Sequence, residues 1–246
     1  MEIITSTKNQ FVREAKSLAD KKFRDNTGLF LVEGINIFKD IPSCQEIEYI
    51  LAVEEKADEL SALTALSQAK IYFVTESVLE YIADTVSPYG IVAVCRKPKT
   101  SFCLPTGNAL LLDGVSDPGN LGTIIRTAAA TGFNEIYTLD CADIYSPKVV
   151  RATLGALFRV KIVAVNLDEA LNLIENTKSI ALDMSGENLL TSKLGSPILL
   201  VAGSEAHGIR AGIRDKVNQT KSLPMQNGIE SLNVAVALAV AMYQAI

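Results

Sequence analysis

Tryptophan is absent from this chain, and histidine occurs once, at His207. A metal site built from several imidazoles is therefore excluded. A serine–histidine–acid triad would have to use His207, and no nucleophile-elbow motif surrounds it. The four cysteines, Cys44, Cys95, Cys103 and Cys141, form no CxxC pair. That argues against a zinc ribbon or a disulfide framework and suits a reducing compartment, so the cytoplasm is the expected location. Long apolar runs are also missing. Val234–Tyr243 spans ten residues, far short of the ~20 that a membrane span needs. Glu2 stands where a secretory leader would carry positive charge, and no apolar segment follows it.

What is present fits a globular protein. Of 246 residues, 48% are hydrophobic and 21% charged, enough apolar chain for a proper core in one large domain or two smaller ones. The net charge of −5 argues against a non-specific polyanion binder, but it hides an asymmetry. From Thr7 to Arg24 there are six basic residues (Lys8, Arg13, Lys16, Lys21, Lys22 and Arg24) against Glu14 and Asp20. From Leu31 to Leu60 eight acids face Lys39 and Lys56. From Ile144 to Lys161 four basic residues (Lys148, Arg151, Arg159 and Lys161) occur with no acid. Such alternation suits a protein that meets phosphates on one face, or one with ordinary solvated faces.

The first part reads as a small α/β unit. Phe11, Val12, Ala15, Leu18 and Ala19 have helical spacing over Lys8–Lys22, with a basic outer face. "GLFLVEG", "IEYILAV", "KIYFV" and "GIVAVC" read as strands, with a helical segment over Glu54–Ala69. The polar stretch Arg96–Asn108, with Pro98, Pro105 and Gly107, then breaks the pattern. It places an N-terminal domain at residues 1–97, a linker at 98–107 and a second domain at 108–246. In that second domain strands and helices alternate strictly. "ALLLDGV", "EIYTL", "VKIVAV", "SIALDM", "PILLVAG" and "TKSLPM" read as strands. Helices are expected near Leu121–Thr131, Pro147–Leu157 and Asp168–Asn176, and from about Glu230 onward. The pattern predicts a parallel sheet covered on both faces. The last helix is apolar nearly all round, so it must be buried on most sides, inside one subunit or against a second.

Ligands of open parallel sheets bind beyond the carboxyl ends of the strands, and three strand ends here carry unusual loops. In "DGVSDPGNLGTIIR", glycines permit tight turns, Asn120 stands where it could cap the following helix, and Arg126 lies one and a half turns further in. In "LLVAGSEAHGI", a buried strand ends at Gly203 and Glu205 follows at once; a lone loop histidine such as His207 more often faces solvent. In "LPMQNGIESLNVAVALAV", Glu230, Ser231 and Asn233 crowd a helix start. Ser231 is a natural cap, whereas Asn233 has no such structural role and points to a ligand. A dinucleotide-binding reading competes, because Asp140 follows Gly122 by 18 residues. The loop, however, reads G-x4-G-x2-G and contains Pro118.

Together these loops resemble the three motifs of the SpoU/TrmH family of RNA 2′-O-ribose methyltransferases, within the SPOUT superfamily. "DPGNLGTIIRTAAATGF", "LLVAGSEAHGI" and "LPMQNGIESLNVAVALAVAMYQ" carry the likeness in order. "SPKVVRATLGALFRV" resembles a further family stretch, with Thr153 where serine is usual. The N-terminal "STKNQFVREAKSLADKKFRDNTGLFLVEG" resembles the substrate-binding extension of members that act on ribosomal RNA. The resemblance implies a C-terminal trefoil knot, a homodimer whose site draws on both subunits, S-adenosylmethionine as methyl donor and no metal. It implies Arg126, Asn120, Glu205, Ser231 and Asn233 as the polar catalytic set, and Gly203, Leu223, Met225, Leu232 and Leu182 as cofactor contacts. Lys8, Arg13, Lys148 and Arg151 are the expected RNA-backbone contacts. A transfer-RNA target, an RNA-binding dimer without activity and a nucleotide-dependent oxidoreductase are the alternatives.

Overall fold

The computed structural model describes residues 3–63, 69–83 and 88–246. The chain forms two compact units: residues 1–99 with 143–158, and residues 100–142 with 159–246. By its contacts the stretch 143–158 groups with the first unit, although in sequence it lies within the second domain. There α7 (Pro147–Thr153) packs on β1 (Leu29–Glu33).

The first unit is built on a four-stranded sheet in the order β1, β4 (Ile91–Arg96), β2 (Ile47–Ala52), β3 (Ile71–Phe73). The pairs of β4 with β1 and β2 are antiparallel, and β2 pairs with β3 in parallel. The basic N-terminal helix is two helices, α1 (Gln10–Ser17) and α2 (Lys21–Thr27). The break comes at Asp20, whose carboxylate caps α2 by accepting from the Phe23 N–H at 3.0 Å. Helical spacing alone carries no such signal. The helical expectation over Glu54–Ala69 is met by a short turn at Glu54–Lys56 and by α4 (Ala57–Ser61); positions 64–68 of it lie outside the described residues. Val12, Ala15 and Leu18 bury one face of the N-terminal helices against Leu31, Tyr49, Leu51, Val92 and Val94. Arg24 is buried here. It donates to the carbonyls of Leu18 and Ala19 and pairs with Asp143 at 2.5 Å.

The second unit is the predicted parallel sheet. Its order is β10 (Gln219–Ser222), β8 (Ser179–Asn188), β9 (Leu199–Gly203), β5 (Ala109–Asp113), β6 (Glu135–Leu139), β7 (Lys161–Ala164), and every pair is parallel. Strands β5 and β9 are apolar and almost wholly buried, as a sheet covered on both faces requires. The covering helices include α6 (Pro118–Thr131), α8 (Leu167–Glu175) and α10 (Val234–Gln244). Helix α10 packs on α6 and β9 through Val234, Ala235, Leu238, Ala241 and Met242. Within this one chain Val236 and Tyr243 of the helix stay exposed. The helix expected through Leu157 stops at Thr153, because Leu154 (φ 47°) and Gly155 (φ 93°) turn the backbone left-handed. Among the described residues no helix is long and apolar enough to cross a membrane.

Candidate active site

The central strand β5 sets the frame. Asp113 at its end lies in register with Gly203 of β9 and Leu139 of β6, so the loops leaving these strands start side by side. Helix α6 begins directly after the first loop. Its cap is Asp117, which accepts from the Asn120 N–H at 2.7 Å, and Pro118 occupies the first helical position. Asn120 is therefore not the cap expected of it. Its side chain is free for other partners, and it donates a short hydrogen bond to the Glu205 carboxylate. The Asp-Pro pair carried the signal for this cap, since proline at the first helical position follows a capping acid.

Helix α10 repeats the lesson. Its cap is Asn233, whose Oδ1 accepts from the N–H groups of Ala235 and Val236 at 3.0 and 3.3 Å. Ser231 stands outside the helix in the preceding loop. The cap is thus Asn233 and not Ser231, the residue expected there. Asn233 also does more than cap, because its Nδ2 donates to Asn120 Oδ1 at 2.8 Å. Asn233, Asn120 and Glu205 thus form one hydrogen-bonded chain across three loops, and all three side chains are exposed or half-buried.

Beside this chain lies a cleft of about 330 Å³. Gly203, Glu205, Leu223, Met225, Ser231, Leu232, Asn233 and Leu182 all line it. Eight of the ten residues named as catalytic or cofactor contacts therefore meet in one cavity. Asn120 joins it through its hydrogen bonds and does not itself line it. Arg126 lies exposed on α6 and does not line the cleft, and no ion pair engages it among the described residues.

The chain backbone is packed very closely around the cleft. A Cβ on Gly203 would overlap the backbone of Gly208 and Ile209, so only glycine fits there. A Cβ on Gly186 would lie 2.5 Å from the Lys221 nitrogen, where the pairing of β8 with β10 shifts register. The turn between Gly203 and Gly208 is closed by Gly208 N–H to Ser204 O at 2.9 Å and by His207 N–H to Ser204 Oγ at 3.1 Å. His207 itself is exposed, as expected.

A brace behind this turn also went unseen in the sequence. Asp113, almost fully buried, accepts from both the backbone N–H and Nε of Arg210, at 2.8 and 2.7 Å. Arg210 reaches Asp140 at 3.0 Å as well. Asp140, the acid that the dinucleotide-binding reading needed, is thus tied to an arginine, and its backbone turns left-handed (φ 51°). Nearby, burial pushes the Cys141 thiol up to about 11, and it donates to the Leu112 carbonyl. Two hydrogen bonds from Ser185 hold the Asp183 carboxyl below its ordinary value.

The expected RNA contacts lie in the first unit. Lys8, Arg13 and Lys148 are exposed, whereas Arg151 is half-buried and pairs with Glu33 at 3.4 Å.

Comparison with known proteins agrees with this geometry. The model of the SpoU rRNA Methylase family matches residues 107–243, and that of the MRM3-like substrate binding domain matches residues 9–93. The chain is 32% identical to the 23S rRNA (guanosine(2553)-2′-O)-methyltransferase RlmP of Bacillus subtilis, over 99% of this chain and 98% of that protein. The crystal structure of an AdoMet-bound rRNA methyltransferase from Sinorhizobium meliloti superimposes with a TM-score of 0.89 at 26% identity, covering 99% of this chain and 96% of that one. The SpoU methyltransferase AviRb from Streptomyces viridochromogenes, in complex with AdoMet, matches with a TM-score of 0.84 at 25% identity over 96% and 97% of the two chains. The family models, the full-length relative and the shared sheet leave one conclusion: the chain belongs to the SpoU rRNA methylase family.

Proposed function

We propose that this chain methylates a ribose 2′-hydroxyl of ribosomal RNA, with S-adenosylmethionine as the methyl donor. The observation that carries the reading is the single cleft in which three separate loops place Gly203, Leu223, Leu232 and Ser231 beside the Asn120–Glu205–Asn233 chain. Its volume of about 330 Å³ falls in the range of small-molecule sites. Its lining suits the donor: close backbone around Gly203 for an adenine edge, and Leu182, Leu223, Met225 and Leu232 for the adenine faces. When bound there, S-adenosylmethionine supplies an electrophilic methyl group on a sulfonium, so the chemistry needs no metal ion.

The protein's own task is to orient the ribose and stabilise charge building on its 2′-oxygen. Ser231, which lines the cleft, and Asn120, at its edge, are assigned the orientation of the ribose. Glu205 anchors its loop through Asn120, and Asn233 ties the start of α10 to the same corner. A guanidinium does not readily give up a proton. Arg126 is therefore assigned the target phosphate and the developing oxyanion, not general-base work. Its exposure, with no ion pair among the described residues and no place in the cleft lining, supports a role in the site of a second copy of the chain. The open apolar positions Val236 and Tyr243 on α10 support the same homodimer. A trefoil knot is part of the same reading, carried by the match to the family and not by any single contact. The match to a substrate-binding domain favours ribosomal over transfer RNA, with Lys8, Arg13 and Lys148 on the RNA backbone. Cytoplasmic residence accords with such a target.

The test uses the chain with methyl-labelled S-adenosylmethionine and either ribosomal or transfer RNA, followed by digestion to nucleosides. Label is expected in a 2′-O-methylnucleoside from ribosomal RNA. Arg126→Ala is expected to lower transfer by about 10²–10³-fold while donor affinity stays within twofold. Label in a base, or full activity of the Arg126 variant, would contradict the assignment.

A further inference from the structure

The cleft holds a charged group that the methyl-transfer reading leaves without a task. Asp183 follows Leu182 on β8 and lines the cleft. One carboxylate oxygen, Oδ1, is doubly held by Ser185, from its backbone N–H at 2.9 Å and its hydroxyl at 2.7 Å. The other oxygen has no hydrogen-bond partner among the described residues. The remaining charges of the cleft are committed. Lys221 is buried and paired with Glu187 at 2.6 Å, and Glu205 is tied into the Asn120 corner.

The hydrogen bonds from Ser185, and to a smaller degree the Arg214 charge, favour the ionised carboxylate. Asp183 is half-buried, and a ligand filling the cleft would strip water from its open oxygen. Covering an ionised oxygen without giving it a donor is unfavourable. A ligand that binds well here must therefore present a donor to it. Adenine's place is taken by the Gly203, Leu223 and Leu232 wall in the reading above. That leaves two donor groups on the molecule, the ribose diol and the α-ammonium.

We infer that Asp183 is a recognition residue for the methyl donor, accepting a hydrogen bond through its open oxygen from a hydroxyl or ammonium group outside the adenine ring. This rests on the methyl-transfer reading. The test is calorimetry of the full chain with S-adenosylmethionine and with 5′-methylthioadenosine, which keeps the ribose diol and lacks the ammonium. Asp183→Asn is expected to weaken S-adenosylmethionine by about tenfold or more. Asp183→Ser, which keeps an oxygen in the turn, serves if the asparagine variant does not fold, and the same loss is expected of it. A loss shared by both ligands assigns the ribose; a loss confined to S-adenosylmethionine assigns the ammonium where S-adenosylhomocysteine, which keeps the ammonium and lacks the sulfonium charge, shows it too, and overturns the inference where it does not. Variant affinities within twofold of the unaltered chain for both ligands would overturn the inference and leave the functional reading standing. Absence of S-adenosylmethionine binding to the unaltered chain would overturn that reading, and this inference with it.

Discussion

The first unit closes its polar groups on themselves, and the second leaves some of them open. In the first, buried Arg24 satisfies two carbonyls and Asp143, and the Tyr49 hydroxyl donates to Phe11 O at 2.9 Å beside Glu14. In the second, Asn120, Glu205 and Asn233 are linked beside a cleft, Ser231 stands exposed, and one Asp183 oxygen has no partner among the described residues. Closed sets hold architecture, because an unpaired buried charge is costly. Open sets beside a cavity are positioned for a ligand. The contrast predicts which losses unfold the protein and which silence it.

The largest effect is expected at Gly203→Val, where the new side chain would overlap Gly208 and fill the cleft wall. Calorimetry should find no S-adenosylmethionine binding, with a lowered melting temperature; retained affinity would break the link between that wall and the ligand. Next comes Arg24→Ala, which leaves Asp143 without its buried partner. Urea unfolding should show a loss of about 3–5 kcal/mol, with donor affinity of the folded protein unchanged. A cost below about 1 kcal/mol would place this pair with exposed ones. The smallest effect sharpens the comparison inside one residue. Asn233→Ala removes a cap worth about 1 kcal/mol, and Asn233→Ser should restore it without restoring the bond to Asn120. Stability should therefore recover in the serine variant while methyl transfer stays low. Recovery of both would reduce Asn233 to a cap alone.

Much of the second unit was legible because parallel strands are short apolar runs and its loops carry unusual polar residues. All six strands were read correctly in kind, although β8 runs on to Asn188, beyond the apolar "SIALDM". Caps were harder. Asn120 and Ser231 are good capping residues by type, but Asp117 and Asn233 took those positions because backbone direction, not residue type, decides which side chain meets the free N–H groups. The long-range pairs were invisible. Arg210 with Asp113 and Lys221 with Glu187 join residues 97 and 34 positions apart, and no local pattern announces them. Nor did charge alone separate Arg151, which pairs with Glu33, from exposed Lys148. The packing of residues 143–158 with the first unit likewise includes a distant pair, Asp143 with Arg24, at a separation of 119 residues.

One measurement bears most directly on the whole account: a crystal structure of the chain with S-adenosylmethionine bound. The account predicts the adenosyl group against Gly203, Leu223 and Leu232, with the methyl carbon facing the Asn120–Glu205–Asn233 corner. A donor bound elsewhere, or a methyl group turned away from that corner, would contradict it.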